Sequence, residues 1–413
     1  MNSTERKIVL ALASILSFRM LGLFMILPVF ALYADTLHGV TPTLLGLAMG
    51  IYGLTQALLQ LPFGTLSDFF GRKPVIVFGL VIFAIGSAIA AMSDSITGVI
   101  IGRALQGAGA IGSVIMALVA DLTKEQHRPM AMAFLGMSIG ISFISAMALG
   151  PLLNSWISVA GIFWVTAGLA LLGILVLVSC VPDPSDLQTN TPHDREETKT
   201  AAQPISKALQ QLYLLFQNRT LLQLNFGIFT LHIILTAIFV VIPPLLKNTV
   251  NLPGNQQWYL FLPVIIISFL IALPFLVIAE KKRQMKIIYL GAIMVLGISQ
   301  LLLWQYHNSL FPVAINLLLF FAAFTLLEAC LPSLVAKFAP ATSRGSAMGM
   351  FSCSQFLGIF VGGTVAGWLS SYGGSHNVFL MCGIMACIWF GAVIVNNIQI
   401  PYTKERVRNN FPP

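Results

Sequence analysis

Four strongly polar, titratable side chains interrupt long apolar runs: Arg19, Arg103, His232 and Glu328. An ionised group at the centre of a membrane helix costs at least about 2.5–3.5 kcal/mol, so each must face a partner or a wet cavity. At about 1.5 Å per residue, Arg19 lies about 18 Å in from Lys7, His232 about 20 Å from Arg219, Glu328 about 14 Å from Lys337, and Arg103 about 10 Å from the outer end of its run. All four fall in the middle part of a hydrocarbon core roughly 30 Å thick. Glu328 is the one acid at such depth. A carboxyl there can act as a proton carrier; the competing reading is a structural ion pair with Arg19 or Arg103. His232 is the second candidate for proton coupling, because histidine changes charge near neutral pH. Its alternative is a neutral ring donating one interhelical hydrogen bond. Arginine does not release its proton, so Arg19 and Arg103 are read as tuning their neighbours or attracting an anionic group.

Uncharged polar residues join this set. Tyr52, Gln56 and Gln60 are spaced by four and share one helix face. With Arg19, Arg103, Asn225 and Gln355 they make the candidate lining of a central substrate cavity, or else they hydrogen-bond between helices. Gln300 and Asn316 are further polar candidates. Nothing suggests covalent catalysis: HExxH, GxSxG and GxxxxGK[ST] are all missing, so no enzyme, no cofactor and no ATPase domain is expected. The five cysteines lie in or beside apolar runs without CxxC or metal-type spacing and read as small buried hydrophobes. No metal site is expected.

The elements that must position these residues follow from composition. Of 413 residues, 57% are hydrophobic and only 9% charged, against about 25% charged in an ordinary soluble domain. So few charges cannot cover a water-facing surface, which excludes a soluble globular protein, and disorder and collagen go with it. Twelve apolar runs, from Ile8–Tyr33 to Val378–Ile398, are each long enough to cross a bilayer as a helix. The expectation is an all-α membrane protein of twelve transmembrane helices. The first run follows Glu5-Arg6-Lys7 and is too long for the core of a cleaved signal peptide.

The net charge of +8 is a matter of sidedness rather than of nucleic-acid binding. Nineteen of the 22 Lys and Arg fall in the tails or in loops on the side of the termini, and Lys247 alone falls on the opposite side. Positive residues mark the cytoplasmic side. Both termini are expected there, facing anionic lipid headgroups.

A polar stretch splits the chain six runs from six. The expected organisation is a six-helix bundle over 1–181, a linker over 182–218, a second bundle over 219–398 and a tail over 399–413. Within the linker, Ile205, Leu209, Leu212 and Phe216 share a helix face and predict a short interfacial helix. The halves repeat: Leu61-Pro62-Phe63 and Asp68 recur as Leu273-Pro274-Phe275 and Glu280, offset by 212. Leu118-Val119-Ala120 and Arg128 recur as Leu334-Val335-Ala336 and Arg344, offset by 216. Parallel repeats of this type occur in secondary transporters, with substrate held near the midplane between them.

The sharpest motif is Gly64-Thr-Leu-Ser-Asp68-Phe-Phe-Gly71-Arg72-Lys73-Pro74. A positive-inside hairpin explains Arg72 and Lys73 but not an acid and two glycines at these positions. The stretch resembles the signature loop of the major facilitator superfamily. Arg103-Ala-Leu-Gln106-Gly107-Ala-Gly109 resembles that family's R-x-x-Q-G-x-G motif. Gly136, Gly140 and Gly150-Pro151 resemble its proton-antiporter motif, and the resemblance covers all twelve runs. Ser17–Gly22, Gly50–Ala57 and Leu327-Glu328-Ala329 are similar to a member of the drug:proton antiporter type that can carry an extra soluble C-terminal domain. That domain is not expected here, since the chain stops about fifteen residues after its last run.

The resemblance implies the major facilitator fold, with two six-helix pseudo-repeats, and a conformational latch. Asp68 would face the start of the eleventh span near Arg344–Ser346, where a helix N-terminus carries about half a positive charge. Arg72 would pair with Asp121, and Arg128 belongs to the same surface. It also implies a proton-coupled exporter of small amphipathic or drug-like molecules, working by alternating access in a bacterial inner membrane. Its partners would be a small-molecule substrate, protons and lipid, and it would act as a monomer. Many members carry an acid in the first span; this chain has Arg19 there instead. The alternatives are a uniporter or importer of one metabolite, or a membrane receptor on the same scaffold.

Overall fold

The computed structural model describes residues 1, 3–182, 215–281, 284–340 and 344–396. Ile205, Leu209 and Leu212 of the expected interfacial helix, and the tail from 399, lie outside the described residues.

The backbone is helical because hydrocarbon offers no partner for its N–H and C=O groups, which must be satisfied within each segment. In chain order the helices are α1 (Ser3–Met25), α2 (Leu27–Ala34), α3 (Pro42–Phe70), α4 (Arg72–Met92), α5 (Ile96–Ala108), α6 (Gly112–Leu122), α7 (Arg128–Cys180), α8 (Arg219–Asn248), α9 (Trp258–Lys281), α10 (Met285–Gln305), α11 (Leu310–Phe338) and α12 (Arg344–Val395). Their starts carry local signals. Thr41 caps α3 by accepting from Leu44 N at 3.2 Å, and Ser95 caps α5 by accepting from Gly98 N at 3.3 Å. Asn218 caps α8 through Thr220 N and Leu221 N.

Helices and crossings do not correspond one to one. Pro28 near the start of α2 interrupts the first crossing, and Gly109 separates α5 from α6 within the fourth. Conversely, α7 has 53 residues and α12 has 52. At about 1.5 Å per residue each would measure near 80 Å, more than twice the hydrocarbon thickness. Both turn back on themselves, α7 at Ser158 (φ 59°) and α12 at Gly373 and Gly374 (φ 63°). Among the described residues ten continuous apolar segments, two of them double, therefore give twelve crossings, the all-α architecture expected from the apolar runs.

Odd-numbered crossings start on the face that carries the N-terminus and Asn396 (the face of the termini) and end on the far face. Contacts joining the halves run from mid-membrane to the far face. Thr43 Oγ1 lies 3.1 Å from Ser371 Oγ, and Lys247 Nζ lies 3.6 Å from Asp35 Oδ2. Below them α3 and the first arm of α12 touch backbone to backbone: a Cβ on Gly363 would lie 2.5 Å from Gly46 O, and one on Gly50 would lie 2.7 Å from Phe360 O. Deeper still, Cys353 Sγ is 3.6 Å from Ala57 O, and Phe143 and Phe324 pack with centroids 5.5 Å apart. Toward the face of the termini the contacts give way. Gly136 and Gly140 on α7, and Gly345 and Gly349 on α12, have open space where a side chain would sit. The molecule is sealed at one end and open at the other.

Candidate functional site

Two polar clusters occupy the middle of the membrane, one in each half. The first is built on α1, α3, α4 and α5. Arg19 Nη2 donates a short hydrogen bond to Gln56 Oε1, and Gln56 Nε2 donates to Gln60 Oε1 at 3.4 Å. Arg103 Nη1 donates to Gln106 Oε1 at 3.0 Å, and Gln106 Nε2 donates to Ser87 Oγ at 2.8 Å. Tyr52 lies between the two cations: the guanidinium carbons of Arg19 and Arg103 stand 5.9 and 5.1 Å from its ring centroid. Arg19 also stands 5.6 Å from the Phe83 ring centroid. Both arginines are only 2% exposed. The sequence pattern picks out Arg19, Tyr52, Gln56 and Arg103; the partners Phe83 and Ser87 on α4 carry no motif and emerge only from packing.

The second cluster is built on α8, α11 and α12. Glu328 Oε1 accepts from the Gln355 side-chain amide at 3.3 Å, and the same amide lies 2.9 Å from His232 Nε2. His232 Nδ1 lies 3.2 Å from the carbonyl of Ile228, which can only accept. Nδ1 therefore carries the hydrogen of a neutral ring, and Nε2 is free to accept from Gln355. The Glu328 Oε2 atom stands 3.9 Å from His232 Nε2 and has no hydrogen-bond partner among the described residues. Glu328 is 36% exposed by its side chain, whereas His232 is 2% exposed. Protonation of His232 at Nε2 would set a second donor 2.9 Å from the Gln355 amide nitrogen and therefore requires that amide to turn.

The structure brings together Glu328, His232 and Gln355, which lie far apart in sequence. It does not bring Glu328 to either arginine; the ion-pair alternative is not the arrangement seen. Asn225, on α8 two turns from His232, is buried with neither side-chain atom hydrogen-bonded. Phe324 packs on His232 at 5.9 Å and on Phe143 of the other half, so the cluster touches the interface between halves. Neither phenylalanine stands out among the 29 in the sequence.

The loop between α3 and α4 forms a third group. Gly71 (φ 89°) adopts a backbone conformation that a side chain disfavours and lets α4 start one residue after α3 ends. Arg72 then reaches three groups: Asp68 at 2.5 Å, Asp121 at 3.1 Å and Ser67 Oγ at 2.6 Å. Asp68 is 57% exposed and held by its own half. Lys73 is half-buried at the start of α4. Gly64 faces Ser113, and Arg128 Nε donates to Ala120 O at 3.0 Å, closing the end of α6. Arg344 is the first residue of α12. On α7, a Cβ on Gly150 would collide with Met25 O, which explains a glycine beside Pro151. Among the described residues no group of three or more His, Cys, Asp or Glu is arranged to hold a metal.

Comparison with known proteins agrees with this architecture. The model of the Major Facilitator Superfamily matches residues 12–362 and 285–410. The inner membrane transport protein YajR of Escherichia coli is 43% identical over 412 residues, spanning 100% of this chain and 87% of that protein. An uncharacterized transporter of Buchnera aphidicola is 35% identical over 88% of this chain and 90% of its own length. Among solved structures, a bacterial homologue of the human lysosomal transporter Spinster superposes with a TM-score of 0.74 at 13% identity, covering 96% of this chain and 97% of that one. A D-xylose–proton symporter gives 0.71 at 16%, covering 94% and 96%. The chain belongs to the major facilitator superfamily and is a multi-pass membrane protein of the transporter type.

Proposed function

We propose that this protein is a proton-coupled antiporter that exports small amphipathic or drug-like molecules by alternating access. The observation that carries the reading is the Glu328–Gln355–His232 cluster. It supplies a mid-membrane carboxyl whose side chain is 36% exposed, with one buried oxygen that has no hydrogen-bond partner among the described residues and a histidine 3.9 Å away. Such a carboxyl can load and release a proton as the opening changes sides. No ATP-binding motif is present, which favours an ion gradient as the energy source. Asn225 and Gln355 are the polar lining on the second half, and Phe143 and Phe324 the apolar wall. Arg19, Arg103, Tyr52 and Gln56 back the lining of the first half. The excess of Lys and Arg on that side supports a cytoplasmic open face, and the similarity to an Escherichia coli inner membrane transport protein supports a bacterial inner membrane. The protein acts as a monomer with a bundle over 1–181 and another over 219–398, and it transports rather than catalyses. In this state Asp68, Gly71, Arg72 and Asp121 form a released latch; closing of the open face brings Asp68 to the start of α12.

The test is proton flux from liposomes that hold the purified protein and a pH dye, with lipophilic cations and neutral drugs offered outside. Substrate-dependent flux that disappears in Glu328→Gln is expected. Uphill substrate movement by Glu328→Gln would remove Glu328 from the proton path, and folded wild-type protein with no flux for any compound would favour a uniporter or receptor.

A further inference from the structure

The first-half cluster contains an imbalance that the proton path does not use. Arg19 and Arg103 place two full positive charges inside one six-helix bundle, each 2% exposed. The acids of that half are Glu5, Asp35, Asp68, Asp94, Asp121 and Glu125, every one at a helix end or in a loop. Glu5 is engaged there by Lys124 N and His127, Asp35 by Lys247, and Asp68 and Asp121 by Arg72. Glu328 is held in the other half by Gln355. The partners the arginines do have are amide oxygens, the Ala48 carbonyl and ring faces, which carry only partial charge.

The hydrogen-bond inventory points the same way. Among the described residues Arg19 uses Nη2 on Gln56 and leaves Nε and Nη1 without an acceptor. The Tyr52 hydroxyl, on a fully buried ring beside both cations, also has none. Buried donors are rarely left unsatisfied, and a buried cation needs a counter-charge or coordination. Here the unsatisfied atoms are all able to donate, and no unsatisfied acceptor accompanies them in the cluster. Space is narrow: a Cβ on Gly86 would lie 2.6 Å from Gln106 N, and one on Gly102 would lie 2.6 Å from Gly86 O. A drug-sized molecule does not fit among helices this close.

We propose that the first-half bundle holds a site for one small monovalent negative group, bound by Arg19 Nε and Nη1 with the Tyr52 hydroxyl and backed by the charge of Arg103. The group is a halide ion or the carboxylate end of a solute; both present one negative charge of acceptor character to N–H and O–H donors. The site is independent of the proton path through Glu328.

The test is thermal unfolding of the purified full chain in chloride, bromide, acetate and gluconate at matched ionic strength, with gluconate as the anion too large to enter. Chloride, bromide or acetate is expected to raise the midpoint by about 3 °C or more over gluconate, as binding to the folded state alone requires. A response to halides only identifies an inorganic ion, and a response to acetate identifies a carboxylate. Arg19→Gln removes the response. Tyr52→Phe, which keeps the ring and its packing, weakens the apparent affinity about tenfold, the effect of one lost hydrogen bond to a charged group. Lys124→Gln, an exposed cation elsewhere, leaves it unchanged. Equal midpoints in all four salts for the wild type overturn the proposal. So does a response that survives intact in both Arg19→Gln and Tyr52→Phe.

Discussion

The two ends of the seam between α3 and α12 are built from the same helices and behave oppositely. At the far end Gly46 and Gly50 meet Gly363 and Phe360 so closely that no side chain fits between the backbones. At the end near the termini, Gly64, Gly345 and Gly349 have no neighbour in the other half. Small residues drive membrane helices together through packing alone, since lipid offers no hydrophobic incentive. The far end is therefore sealed by shape, with one exposed ion pair and one hydroxyl pair added. The near end keeps its charges within one half, as the Asp68–Arg72–Asp121 group does. The two ends are held by different physics. Tight van der Waals contact seals one, and exchangeable ionic contacts are available to seal the other.

The most damaging test of that contrast places a side chain in the seal. Gly46→Val would drive Cβ into Gly363 and Gly367. Overpacking of this kind costs about 1–3 kcal/mol, so the closed far end should lose about fivefold or more in population. Spin labels on the far-face loops would report a longer distance, and transport would fall to a small fraction of wild type. An unchanged distance would mean that the seal is not sensitive to shape.

A smaller effect is expected at the open end. Asp68→Asn keeps Arg72 paired to Asp121 and should leave expression and thermal stability near wild type, because exposed pairs contribute about 0–1 kcal/mol. Transport should slow several-fold if Asp68 seals this end in the alternate state. Transport at the wild-type rate would show that it does not.

The smallest effect belongs to Asp35 and Lys247, whose side chains are 59% and 48% exposed. Lys247→Glu should shift the far-end distance distribution by no more than about 1 kcal/mol, less at high salt, and the charge-reversed pair Asp35→Lys with Lys247→Glu should restore it. A large shift would show that the ion pair, rather than glycine packing, holds the far end.

Much of this was legible beforehand. Run length and charge sidedness count the crossings, because hydrocarbon thickness and the cost of moving cations are properties of the bilayer rather than of the fold. The acid and two glycines of the Gly64–Pro74 loop mark its turn, since Gly71 needs a positive φ. What the runs do not show is that two crossings arrive as one helix bent at Ser158 or at Gly373 and Gly374, or that Pro28 and Gly109 interrupt others. Such breaks depend on local backbone geometry, which hydropathy does not register. At the site, intramembrane charge singles out Arg19, Arg103, His232 and Glu328, but leaves open whether acid and arginine pair.

Read alone, the sequence gives a membrane protein of twelve crossings, the gathering of its cations on one side, and the ionisable groups that stand in mid-membrane. Each follows from quantities summed along the chain. Only the tertiary structure decided that Glu328 turns to Gln355 and His232 and leaves two arginines without a carboxylate, and that the far end is the sealed one. Those facts rest on contacts between residues far apart in sequence. Helical periodicity fixes which face a residue occupies, but not which helix that face meets.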